Sequence, residues 1–263
     1  MDVLMDRILR CLPAPPGPIT TTTGALSLPA AFEPATYSSD RRVHITALPE
    51  DIQRQIVSKL PMKEAGRTTV LSSSWRYIWR STPLDLDANS LVLRGGRYEP
   101  DEDRKMVSRV SQVIASHDGP FRSVHLNSKA MRHRTSKLRE WFQAFASKGV
   151  QDLVFVNRWS LVFISLPEEI LRCTSLVRLY VAVCNLPYTG GHDVRFPELL
   201  ELSLCSAGLC QVDFDRVLAG SPKLEKLAFI FGRVGPRLPQ PEMRRVLARR
   251  SVQRARHGRR AVP

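Results

Sequence analysis

Five times between Phe121 and Phe229 the chain repeats one phrase, apolar-x-x-apolar-x-apolar. It occurs as Phe121/Val124/Leu126, Val150/Leu153/Phe155, Leu176/Leu179/Val181, Leu199/Leu202/Leu204 and Leu224/Leu227/Phe229. The middle residues stand 29, 26, 23 and 25 positions apart, in or at the edge of the roughly 20–29-residue period of one class of stacked repeat. The alternating part of each phrase reads as a short strand whose inward residues share a core. The segments between the phrases return along the other side. Helical spacing is clearest at Leu138, Trp141, Phe142 and Phe145, then at Asp213–Leu218, and more briefly at Pro167–Leu171. One such unit cannot cover its own apolar side, so neighbours must stack into a solenoid with a concave strand face. A doubly wound α/β domain also alternates strands with helices. The near-constant step and the wording of the phrase favour the solenoid.

A different texture precedes the repeats. Leu48 and Pro49 lead into Glu50 and Asp51, and apolar residues follow at Ile52, Ile56, Val57 and Leu60 before Pro61. Proline suits a helix start, the two acids complement the positive end of the helix dipole, and the apolar spacing makes one stripe. A second helical pattern runs through Ala65, Val70, Leu71, Trp75, Ile78 and Trp79. Ser72–Ser74 in its middle can cap a separate last helix, with the two tryptophans on one side of it. A segment of about 40 residues can bury one side of its helices internally, but hardly both.

These residues closely resemble the F-box of plant proteins over roughly 45–87. Leu48-Pro49, Leu60-Pro61, Arg67-Thr68, Leu71-Ser72, Trp75 and Trp79 fall at that family's spacings, and the run from Pro83 to Asp87 matches its exit. Two positions depart from it: the family usually has a second leucine near Gln53, and often a basic residue at Ser73 or Ser74. The stretches Leu166–Leu179, Phe196–Leu204 and Ala219–Leu227 resemble the repeats of plant F-box/leucine-rich-repeat proteins, most of all the FBD-associated group of the grasses. The resemblance implies an α/β fold in which a three-helix F-box module precedes a short leucine-rich-repeat solenoid. It divides the chain into a flexible lead-in (1–40), the F-box (41–87), a connecting segment (88–120), the repeats (121–232) and a basic, disordered tail (233–263). In that group the repeats often continue into a small C-terminal domain. Here the phrase stops at about Gly232, and a truncated or frame-altered product is the expectation.

The resemblance also implies a function: a non-catalytic receptor subunit of an SCF-type cullin–RING ubiquitin ligase. The F-box would bind a Skp-type adaptor, and the repeats an unknown target protein through the concave face or nearby loops. Leu48, Pro49, Ile52, Ile56, Leu60, Pro61, Leu71, Trp75 and Trp79 would contact the adaptor or shape that surface, with the tryptophans as anchors. Two other readings stand beside it, a repeat scaffold without a ligase role and a basic nucleic-acid-binding protein.

The basic reading rests on charge. The chain carries a net +14, but half of it comes from Pro241–Pro263, where eight arginines face one acid. A second basic stretch lies between Arg122 and Arg139. Aromatic residues that would stack bases are absent from the tail, so nucleic acid is the minor alternative. Five cysteines without a C-x-x-C pair argue for reduced, mostly buried thiols rather than a disulfide framework. No phosphate-binding loop, nucleophile elbow or H-E-x-x-H occurs, and the six histidines are scattered. Neither enzyme activity, metal nor cofactor is expected. With no long apolar run and no secretory signal, the expected location is cytoplasm or nucleus.

Overall fold

The computed structural model describes residues 45–91, 100–128, 131, 134–158, 163–190, 193–230, 233–235 and 250–251, together with Arg10. Three short helices come first: α1 (Glu50–Lys59), α2 (Met62–Arg67) and α3 (Ser73–Ser81). Proline sets their limits. Pro49 and Pro61 stand at the starts of α1 and α2, where a missing N–H costs nothing. Leu60 and Thr82 end α1 and α3 in extended backbone, with ψ of 144° and 139°, because each precedes a proline whose ring excludes the helical region. Between α2 and α3 the chain turns through a 3-10 segment, Thr68–Val70. Ser72 then leaves the helical region, and its hydroxyl accepts the Trp75 N–H at 3.3 Å, the expected cap. Val57, Ala65, Trp75 and Ile78 form the small core of the module, with Ile56, Leu60 and Trp79 at its margin.

The repeats build a seven-stranded sheet in the order β1 (Leu84–Asp87), β2 (Phe121–Ser128), β3 (Asp152–Asn157), β5 (Arg178–Ala182), β7 (Glu201–Cys205), β9 (Lys226–Ile230) and β11 (Arg250–Ser251). All pairs are parallel except the last. The register matches the repeat phrase: Val124, Leu153, Leu179, Leu202 and Leu227 lie directly opposite one another, and so do Leu126, Phe155, Val181, Leu204 and Phe229. These two rows point into one hydrophobic core. The return segments cover it through α5 (Thr135–Ser147), a 3-10 turn at Glu168–Arg172 and α6 (Gln211–Ala219).

A second, four-stranded parallel sheet was not anticipated. It joins β4 (Ile164–Ser165), β6 (Cys184–Asn185), β8 (Gly208–Cys210) and β10 (Arg233–Gly235). Each of β6 and β8 follows its main strand after a sharp corner. At those corners Val183 (φ 57°) and Ser206 (φ 49°) take the left-handed region, which a residue with a side chain adopts rarely and a β-branched one such as Val183 only under constraint. The constraint is the stack itself: the Val183 N–H donates to the Cys205 carbonyl and the Ser206 N–H to the Ile230 carbonyl. The side-chain amide of Asn157 donates to the Val183 carbonyl at 3.1 Å.

Three segments outside the repeat phrases pack with the repeats. The F-box exit, Leu84–Asp87, is the first strand of the repeat sheet, with Leu86 opposite Val124. The connecting segment contains a 17-residue helix, α4 (Pro100–Ser116), which buries Met106, Val107, Val110 and Ile114 in the repeat core. Arg233–Gly235, assigned to the tail, pairs with Gly208–Cys210. The lead-in (apart from Arg10) and the rest of the tail (apart from Arg250 and Ser251) lie outside the described residues.

Candidate functional site

The helical module is not wrapped by the repeats. It seats on them through Met62 of α2, which joins the repeat core, and through the end of α3. There Trp79 meets His117 edge-on at 5.1 Å, and Gly119 N–H donates to the Arg80 carbonyl at 2.6 Å. Arg122 reaches across to the Ser58 carbonyl at 3.5 Å. Several apolar side chains of the module stay open among its exposed charged residues. Val70 is 82% exposed, and Leu71, Ile45 and Ile52 are each more than 40% exposed. Pro49 and Pro61 are exposed too, and Leu48, Ile56 and Leu60 are half-buried.

Seven of the nine adaptor-facing candidates therefore retain accessible surface on α1 or beside the corners that flank α2. The tryptophans differ. Trp75 is fully buried (0%), packed with Ile78, Val57 and Ala65. An anchor must reach its partner, so Trp75 shapes the module from within instead. Trp79 is half-buried against His117. Helical spacing puts the two rings on one side of α3 but does not say whether that side faces inward. Ile45 and Val70 were not singled out in the sequence. Val70 belongs to the second apolar pattern and Ile45 precedes the first, and it is their exposure that marks them.

Gln53, where a leucine was expected, is buried at 4%. Its side-chain N–H groups donate to the carbonyls of Leu48 at 2.6 Å and Thr46 at 3.3 Å. The glutamine thus ties the Ile45–Ala47 turn to α1 and so fixes the edge of the apolar face.

The outward face of the repeat sheet is the other candidate surface. Its first row is charged: Asp85, Asp152, Arg178, Glu201 and Lys226. Arg178 donates to both oxygens of Asp152 at 2.6 and 2.8 Å, and Lys226 donates to Glu201 at 2.5 Å. Arg122 pairs with both oxygens of Asp85, which also accepts from Ser123. His125, in the next row, has its pKa lowered by burial, against the raising pull of Asp87, Asp152 and Asp85. Farther along the strands Val154, Val156, Tyr180, Ala182, Val183 and Cys205 form a separate buried cluster. The expected concave face is therefore only partly open, its apolar half being buried within the protein.

No group of three or more potential metal ligands occurs among the described residues. Burial pushes the Cys173 thiol up to about 12 and the Cys184 thiol higher still, which suits packing rather than nucleophilic chemistry. No helix among the described residues is long and apolar enough to cross a membrane.

Fold and site together define a parallel-stranded repeat solenoid that carries a three-helix module at its N-terminal end. The F-box domain family matches residues 45–87, and the family described as "FBD-associated F-box protein At5g56370, LRR repeats" matches residues 138–256. The chain carries an F-box domain and an FBD-associated leucine-rich-repeat region. The repeat match runs past Gly232, where the phrase itself ends. Among similar proteins of Arabidopsis thaliana, F-box/LRR-repeat protein At4g14103 is 30% identical, over 72% of this chain and 50% of its own length. F-box/LRR-repeat protein At5g02910 is 27% identical, over 74% and 40% respectively. The chain thus spans half or less of these relatives. No solved structure matches it. A pairing of F-box and leucine-rich repeats is characteristic of non-catalytic adaptor proteins rather than enzymes.

Proposed function

We propose that the chain is the substrate-receptor subunit of an SCF-type cullin–RING ubiquitin ligase. In this reading the F-box docks on a Skp-type adaptor and the repeats hold a target protein. The supporting observation is the open apolar surface of the module, from Ile45 to Leu71, which the chain's own repeats leave uncovered. Leu48, Pro49, Ile52, Ile56, Leu60, Pro61 and Leu71 would touch the adaptor, joined by Ile45 and Val70. Trp75 and Trp79 would support that face from beneath. Contiguous exposed apolar surface marks protein interaction sites, and a few buried anchors carry most of such an interface's energy. The chain itself would perform no chemistry; it would bring a target within reach of ubiquitin transfer.

The test is co-precipitation of the adaptor with the full chain and with Leu48→Ala plus Pro49→Ala. Loss of about 2 kcal/mol, roughly thirty-fold in affinity, is expected for the double variant. Absence of adaptor binding by the wild-type chain would leave a repeat scaffold without a ligase role.

A further inference from the structure

An open cleft of about 370 Å³ lies between α3 and the turn at Asp118 and Gly119, lined from the helix by Ser73, Arg76, Tyr77 and Arg80. These helix positions are three or four residues apart and share one side. The turn approaches the helix end closely because residue 119 is glycine: a Cβ there would lie 2.7 Å from the Arg80 carbonyl oxygen. Backbone contact therefore holds the turn against the helix end, where Gly119 N–H donates to the Arg80 carbonyl.

Its charge is unspent. Arg54, Arg67, Arg122 and Arg178 each have a carboxylate partner. The guanidinium groups of Arg76 and Arg80 have none among the described residues, although both are exposed in the same cleft. The only acid in the lining is Asp118. We propose that this cleft binds a phosphorylated serine or threonine side chain of a partner peptide. Two positive charges against one negative leave a modest attraction for any anion. A dianionic phosphate draws on it about twice as strongly as a carboxylate, and its three oxygens can accept from both guanidinium groups and a hydroxyl together. Tyr77, 61% exposed, stands at the rim with the Arg54 guanidinium 5.6 Å from its ring centre. The proposal is independent of adaptor docking, which uses the apolar surface of α1 and the α2 corners.

The experiment is fluorescence anisotropy of the full chain with a labelled peptide of phosphoserine flanked by alanines, beside the same peptide carrying serine or glutamate. The phosphopeptide is expected to bind about ten-fold or more tightly than either, and Arg76→Gln plus Arg80→Gln to remove that advantage. Asp118→Asn, which lifts the repulsion, is expected to tighten binding several-fold, a gain that misfolding cannot imitate. Removing 241–263 is expected to change nothing. Equal binding of the glutamate peptide, no response to the arginine and Asp118 variants, or loss of binding with the arginine-rich segment would each overturn the proposal.

Discussion

His117 closes the joint between α3 and the first repeats. Its ring meets Trp79 at 5.1 Å and Phe121 at 5.5 Å, it is fully buried, and neither ring nitrogen has a hydrogen-bond partner. Lys148 donates to its carbonyl oxygen. Burial, and after it the nearby Lys148 ammonium, lower its pKa to about 4 against the raising pull of the Pro120 and Thr82 backbone and of Asp118. The unfolded imidazole protonates near 6.5, so between about 6.5 and about 4 the unfolded chain binds more protons than the folded one. Stability from this group is complete above that window and is lost as pH falls through it. Going from pH 7 to pH 5 should cost roughly 2 kcal/mol on this account. His117→Leu keeps an apolar ring-sized filling and removes the titration, so its urea midpoint should fall less over the same pH interval. An unchanged pH slope in the variant would place the acid sensitivity elsewhere.

At the scale of single elements, α3 depends on its cap. It has only nine residues, too few for a helix to persist on propensity alone, and its buried residues Trp75 and Ile78 are half of the module's core. Ser72→Ala removes the acceptor for the Trp75 N–H and is expected to lower stability by about 1 kcal/mol, measured by thermal unfolding, with adaptor binding retained once the chain is folded. Loss of binding without loss of stability would instead make Ser72 a contact. That cap was legible in the sequence, as were the repeat strands, because both are local rules: a hydroxyl at a helix start, and inward apolar residues that recur in step. The helix α4 was also written in the sequence, in the spacing of Met106, Val110 and Ile114, but a helix without a repeat phrase reads as a connection. The strands of the second sheet have two or three residues each, too few to show a period; stacking creates them. The inward turn of Trp75 was not legible either, since a stripe fixes which residues share a side and leaves open what covers it.

For the whole molecule, the question is where the F-box ends and the repeats begin. The core runs without a break from Met62 to Val217 and includes Leu84 and Leu86. Those two leucines lie within the span matched by the F-box family, yet their strand pairs with β2, and Asp85 beside them accepts from Arg122 and Ser123. By its pairing Leu84–Asp87 is a strand of the repeat sheet, although the F-box match extends to residue 87. Two shortened chains separate the alternatives. One beginning at residue 83 keeps β1; one beginning at residue 88 makes β2 the sheet edge and strips two buried leucines from the core. Truncating a buried leucine costs about 2–5 kcal/mol, so the longer chain should unfold at the higher temperature and keep its β2 amides protected in hydrogen exchange. Both chains lose Met62 and Trp79 alike, which leaves β1 as the difference between them. Equal melting and equal exchange across residues 121–128 would assign the strand to the helical module after all.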